Sequence, residues 1–116
     1  MTRAQILQYA EEKYGTVSEH LWVKYPNYEV LRKPLSGKWY GVVMDVPKNK
    51  IGLPGDEVID LLLLKEKPEN VLHICEMEGF APAYHMNKKH WFGVILESAD
   101  EAVVYGMIDN SYQLTK

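Results

Sequence analysis

The residues of this chain best suited to chemistry crowd into one segment, Gly79-Phe-Ala-Pro-Ala-Tyr-His-Met-Asn-Lys-Lys-His-Trp91, which holds two histidines, two lysines, an asparagine and three aromatic side chains. Imidazole is the side chain for proton transfer near neutral pH and for metal ligation, so His85 and His90 are the first groups to weigh. If the chain turns at Asn87 and Lys88, His85 faces His90 across a two-stranded ladder and Tyr84 faces Trp91. Asn-Lys is a weaker two-residue turn than Asn-Gly, because Lys resists a positive φ, and a longer loop would change these pairings. Two imidazoles on neighbouring strands could converge on one ion. Zinc takes about four ligands, however, and no Cys, His or carboxylate follows at a usual spacing; His73 and Cys75 are equally isolated. No metal and no cofactor is assigned. The simpler role for the pair is local, one ring capping backbone at the turn and the other packing against Trp91.

Nucleophilic catalysis needs an activated Ser, Cys or Lys beside an oriented base, and no local signature unites Cys75 with a histidine. Cys75 falls on the apolar face of a short helix, where a free thiol behaves as a small apolar group. The carboxylate pairs Asp56-Glu57 and Asp100-Glu101 mark a turn and a helix start, which the helix dipole explains. No glycine-rich phosphate loop occurs. No catalytic residue is assigned, and an enzyme is the lesser expectation. If a small molecule binds anywhere, Tyr84, His85, His90 and Trp91, with Asn87, are the groups to contact it.

Lys48, Asn49 and Lys50 lie in one turn-rich connection and Asn87, Lys88 and Lys89 in another. Lysine attracts phosphate and asparagine pairs with base edges, so two such loops could reach along a nucleic-acid groove. Trp39, Tyr40 and Trp91 could stack on the bases of a single strand, or fill the core. Lysine and asparagine also populate exposed turns without any ligand. The formal charge of −3 means that any binding to DNA must come from a local patch.

The elements that must position these groups follow from patterning. Thr2 to Tyr14 reads as a helix, because Thr2 and Gln5 have the spacing of a capping box and Gly15 can stop it, with Ile6, Leu7, Ala10 and Tyr14 inward. A Pro-containing connection leads to a strand from Tyr28 to Arg32, a turn over Pro34 to Lys38, and a second strand from Trp39 to Val46 that Pro47 ends. Lys48 to Asp56 is loop. Glu57 to Lys65 is apolar on both faces at its centre, as a central strand would be. Pro68 opens a short helix bearing Val71, Leu72 and Cys75 on one face, ended near Gly79. Ala83 to Met86 and His90 to Glu97 read as the two strands of the hairpin. Ser98 and Glu101 form a second capping box for a last helix from Ala99 to Ser111, burying Val104, Tyr105, Ile108 and Tyr112. The order is α-β-β-β-α-β-β-α: an α+β fold in two layers, with a five-stranded, mainly antiparallel sheet and helices on one face.

Residues 1–116 form one domain, since a chain of 116 residues, 47% hydrophobic and 25% charged, has an ordinary globular composition. The lone Cys75 and the lack of a signal-peptide pattern point to a cytoplasmic protein. No apolar run is long enough for a membrane span.

The string Tyr84-His-Met-Asn-Lys-Lys-His-Trp91, with Pro82 before it, resembles the signature of the MmcQ/YjbR-like family of small bacterial proteins. Leu64-Lys65, Pro68-Glu69 and Ser111-Tyr112 extend the resemblance over nearly the whole chain. It implies an α-β(3)-α-β(2)-α fold related to secretion-chaperone-like proteins, and DNA binding through a double wing formed by the loops holding Lys48 to Lys50 and Lys88 with Lys89. The fold relationship also implies an alternative, a protein-interaction or chaperone-like module in which the sheet face or edge takes a partner segment.

Overall fold

Thr2 starts the first helix as a capping box requires: its hydroxyl accepts from the Gln5 N–H, and the Gln5 side chain accepts from the Thr2 N–H at 2.8 Å. That helix, α1, spans Arg3–Tyr14 and ends at Gly15, whose φ of 67° lets its N–H return to the carbonyls of Ala10 and Glu11. The computed structural model describes residues 1–116. After α1 come strands β1 (Glu29–Arg32), β2 (Trp39–Pro47) and β3 (Val58–Lys65), helix α2 (Pro68–Cys75), strands β4 (Phe80–Pro82) and β5 (Trp91–Ile95), and helix α3 (Glu101–Leu114). The order and the α+β class are those the sequence predicts.

The sheet runs β1-β2-β3-β5-β4 with every neighbouring pair antiparallel, so β3 is central. Successive side chains of a strand point to opposite faces. Leu62 and Leu64 join Ile6 and Ala10 of α1, Val71 of α2, and Val104 and Ile108 of α3 in one core. Leu61 and Leu63 join Val42, Met44, Trp91 and Ile95 in a second core on the opposite face. All four leucines are fully buried, which is why β3 reads as apolar on both sides. The helices cover the first face. The second is closed by connections between elements, which contribute Trp22, Ile51, Leu53, Tyr84 and Met86.

The fourth strand differs from the sequence expectation. Ala83 to Met86 is not a strand; β4 is Phe80–Pro82, and Ala81 pairs with Gly93. Pro82 ends β4 as an edge-strand residue rather than preceding it, since an edge needs no inter-strand N–H on its outer side. Beyond it the chain drops onto the second sheet face, where Ala83 is buried and Tyr84 and Met86 pack. His85 lies at φ 61°, outside any strand conformation. His85 and His90 are therefore not cross-strand partners, and neither are Tyr84 and Trp91; the two-residue hairpin is replaced by a connection over residues 83–90.

Three smaller corrections have local causes. Asp100, not Ser98, caps α3, accepting from the Val103 N–H at 3.1 Å, while the Ser98 hydroxyl donates to Ile95 O. Helix α3 runs on to Leu114 because Ser111 is a buried link rather than a stop: its Oγ donates to Tyr40 O at 2.6 Å and accepts from the Lys65 N–H at 2.9 Å. Leu72 is 74% exposed, and Ile74 packs on the core instead.

Candidate nucleic-acid interface

Pro47 ends β2 and a 3-10 turn, Lys48–Ile51, follows at once. The Lys48 N–H donates to Glu57 O at 2.9 Å and the Leu53 N–H to Lys48 O at 3.0 Å, closing the connection on itself. Ile51 and Leu53 then anchor it to the second core. This geometry turns the Lys48 ammonium toward acid: Nζ lies 3.1 Å from Glu97 Oε1 and 3.4 Å from Glu57 Oε2. Those two carboxylates push the Lys48 pKa up. Its charge is matched within the protein, unlike that of Lys50, which is exposed beside Asn49 and takes part in no ion pair.

The 83–90 connection is held in the same way, from below by Tyr84 and Met86 and internally by Asn87. Asn87 Oδ1 accepts from the Lys89 N–H at 2.9 Å, and its carbonyl accepts from the N–H groups of His90 and Trp91. The asparagine side chain thus builds the turn that presents Lys88 and Lys89, both exposed and in no ion pair. His85 projects beside the rings of Tyr84 and Tyr25, with centroids 3.9 Å and 5.8 Å away. Tyr25 stacks on Tyr28 at 4.6 Å and is itself 41% exposed.

Each connection is anchored on the second sheet face by Ile51 and Leu53 or by Tyr84 and Met86, while Lys50, Lys88 and Lys89 stay exposed, and the two connections meet. A shallow groove of about 260 Å³ is lined by Lys50, Ile51 and Gly52 from the first and by Pro82, Ala83, Tyr84 and Lys88 from the second. No carboxylate lines it. Trp91 is a core residue, 7% exposed, directly opposite Lys65 in the β3–β5 ladder. The Lys65 Nζ sits 5.3 Å from the centre of its ring. Trp39 packs on the second core and Tyr40 is fully buried, its hydroxyl donating to Thr16 Oγ1 at 2.6 Å. Of the groups read as base-stacking, none is freely exposed.

No group of three or more His, Cys, Asp or Glu converges as a metal site would need. Cys75 is half-buried with Sγ 3.5 Å from Ala81 O, and burial pushes its thiol pKa up, away from the reactive thiolate. No helix is long and apolar enough to cross a membrane.

The sequence reading missed three groups. Lys65 and Lys67 flank Glu66 where β3 gives way to α2, and both line a second groove that also contains His90; the signal was a lysine closing a strand with four consecutive leucines and a second lysine two residues on. Tyr25 was passed over as part of a featureless connection.

A family model described as YjbR matches residues 11–114. The chain belongs to the YjbR family. Among YjbR relatives it is similar to the Bacillus subtilis (strain 168) protein YyaQ, 44% identical over 117 residues, covering 100% of this chain and 99% of that one. It is also similar to a Pseudomonas syringae protein solved by crystallography, at 42% identity and a TM-score of 0.97 with all of both chains covered. A solution structure from Pseudomonas syringae gives a TM-score of 0.89 at 42% identity, over 100% of this chain and 94% of that one. A Deinococcus radiodurans crystal structure at 20% identity and a TM-score of 0.74, over 97% of this chain and 77% of that one, shares the fold.

Proposed function

We propose that this YjbR-family protein binds nucleic acid through its two anchored loops, with Lys50, Lys88 and Lys89 on phosphates and Asn49 free to reach a base edge. The observation that carries this reading is the shared groove: Lys50 and Lys88, from separate connections, line one depression with no carboxylate in it. Like charges gathered without counter-charge repel each other, and a bridging phosphate relieves that repulsion. The exposed Tyr25 and half-buried Tyr84 lie alongside as rings on which an unpaired base could stack. Lys48 takes no part, being held by Glu57 and Glu97.

Three phosphate contacts on a chain of net charge −3 give a modest, salt-sensitive affinity, with a log–log salt slope of about −2.7 for duplex and about −2 for a single strand. Fluorescence anisotropy with mixed-sequence duplex and single-stranded DNA at two salt concentrations reads this directly. Replacing Lys50, Lys88 and Lys89 together by Glu abolishes binding while leaving the circular-dichroism spectrum unchanged. Unaltered binding by that triple variant would refute the interface.

The protein-partner alternative loses its simplest surface, because both faces of the sheet are covered. What favours a partner is the connection before β1, where Val17 is 71% and Val23 98% exposed, with Leu21 and Tyr25 partly so. Val17→Ser with Val23→Ser leaves DNA binding intact in that case and abolishes only protein association, measured by pull-down against the wild type.

A further inference from the structure

The tyrosine hydroxyls of this protein differ in what they bond. On the helix side, Tyr9 and Tyr14 donate to Asp109, Tyr40 to Thr16 and Tyr105 to Glu101. Beside the second core, the hydroxyls of Tyr25, Tyr28 and Tyr84 bond no group of the protein, and the exposed His85 ring among them makes no hydrogen bond and no ion pair. Tyr28 is 4% exposed, yet its hydroxyl is not cut off from solvent, since no buried polar side-chain atom lacks a partner. Its ring is core and its hydroxyl faces out. Burial first, then the neighbouring Tyr84, Tyr25 and Asp45 groups, push the Tyr28 pKa up to about 12, so the phenol keeps its proton to donate.

These groups form one run of contacts that ends at the Lys50–Lys88 groove. Tyr25 stacks on Tyr28 at 4.6 Å, the His85 ring lies 5.8 Å from Tyr25 and 3.9 Å from Tyr84, and Tyr84 itself lines the groove. The place of His85 is imposed on it. Its φ of 61° is a conformation that a residue with a Cβ adopts at a cost, and it is held between two tyrosines with Tyr84 and Met86 packed on the sheet beside it. Backbone strain that the surrounding packing maintains concentrates at ligand sites. The acid nearest this cluster, Asp45, accepts from Asn27 Nδ2 at 3.1 Å.

We propose that this cluster seats one unpaired base of a single-stranded nucleic acid, with His85 and Tyr25 as the stacking rings, the Tyr28 hydroxyl donating to the base edge, and the adjoining phosphate on Lys50 and Lys88. The proposal rests on the nucleic-acid reading of the two loops and narrows it to single strands. A paired base has both faces covered by its neighbours, whereas an unpaired one turns a face to an aromatic side chain. Flat rings accept any base, and a hydroxyl at the edge adds a donor that a purely apolar platform lacks. A base is neutral, so the charge of Asp45 beside Tyr28 does not oppose it, as it would a phosphate at the same place.

The test titrates the full chain into thymine oligonucleotides carrying one central 2-aminopurine, whose fluorescence falls when it stacks, beside the length-matched duplex and thymidine monophosphate. Single strands bind about tenfold tighter than duplex at equal salt, the worth of one stacked base, and the fluorescence falls on binding. His85→Gly removes a ring and relieves the positive φ, and Tyr25→Leu keeps an apolar cover on Tyr28. Together they weaken single-strand binding about tenfold and abolish the quenching, while duplex binding and the salt slope stay as in the wild type. Should the pair not fold, His85→Gly alone carries the same fluorescence readout. Replacing Lys50, Lys88 and Lys89 by Glu abolishes binding to both forms. Loss in that lysine variant with full single-strand binding and quenching in the ring variant overturns the base site and leaves the loop interface standing. Unaltered binding in the lysine variant, or no binding to either form by the wild type, refutes the interface and the base site together. Equal affinity for duplex, or thymidine monophosphate competing as well as the oligonucleotide, overturns the assignment to strands.

Discussion

The ammonium of Lys65 stands 5.3 Å from the ring centre of Trp91, its partner across the β3–β5 ladder, with no carboxylate to share the charge. A partly exposed cation–ring contact of this kind is worth less than about 1 kcal/mol. Lys65→Met therefore leaves the urea midpoint almost unmoved, since the methionine stem covers the same ring face. Trp91→Ala empties a buried site and costs about 3–5 kcal/mol. A Lys65→Met variant that lost several kcal/mol in urea denaturation would show that the ammonium is structural.

His85 is the one non-glycine residue at positive φ, 61°. The left-handed region costs an L-residue with a Cβ roughly 1–2 kcal/mol, least for Asn, Asp and His. His85→Gly is then neutral or stabilising by up to about 1 kcal/mol, whereas β-branched His85→Val destabilises by about 1–2 kcal/mol. Thermal melts of the pair check this, and equal stability for Gly and Val would show the loop to be freely adjustable.

Asp109 accepts from the hydroxyls of Tyr9 and Tyr14 and pairs with Lys13, clasping α3 to α1. Burial pushes its pKa up, but the bonds from Lys13, Tyr14 and Tyr9 together outweigh that and hold it below the ordinary carboxylate value. A group lowered by folding stabilises at pH above its unfolded value, about 3.9, and that contribution is lost as pH falls through the lower folded value. Wild-type stability declines as the pH drops below about 4, and Asp109→Asn, already weaker at neutral pH, declines less steeply over the same interval. Urea midpoints between neutral pH and pH 3 separate the two curves; parallel curves would remove Asp109 as a source of acid sensitivity.

Gly93 lies where β4 and β3 crowd β5 from either side. A Cβ there would come 2.9 Å from Leu61 Cδ1 and 3.3 Å from the Ala81 carbonyl oxygen. The leucine can rotate but the β4 backbone must move, so Gly93→Ala costs about 1–3 kcal/mol through overpacking. Amide exchange at Ala81 rises before exchange at Leu63 does, because β4 is the edge and β3 the centre. Uniformly unchanged exchange would contradict this account.

What could be read in the sequence was what is decided locally. Thr2 with Gln5, Gly15, and Pro68 fixed helix ends by chemistry within one turn, and the leucines of β3 announced a strand buried on both sides. The hairpin failed because Pro82 is a boundary in either direction, and only the second core, assembled from Trp22, Ile51, Leu53, Tyr84 and Met86, decides that the chain leaves the sheet there. The lysine loops were found, but the fate of Lys48 hangs on Glu97, far along the chain and brought near by the sheet. The Lys65, Lys67 and His90 groove was invisible for the same reason: its halves meet only through β3–β5 pairing.

That pairing also shapes how the protein is made. Strand β5 lies between β3 and β4, although β4 leaves the ribosome first. From Lys65 to Ile95, a stretch of thirty residues, the nascent chain carries Leu61 to Leu64 on an open strand edge, an interval of roughly 2–6 s at ordinary elongation rates. During synthesis, that edge is where self-association would begin and where a holding chaperone would have most to protect.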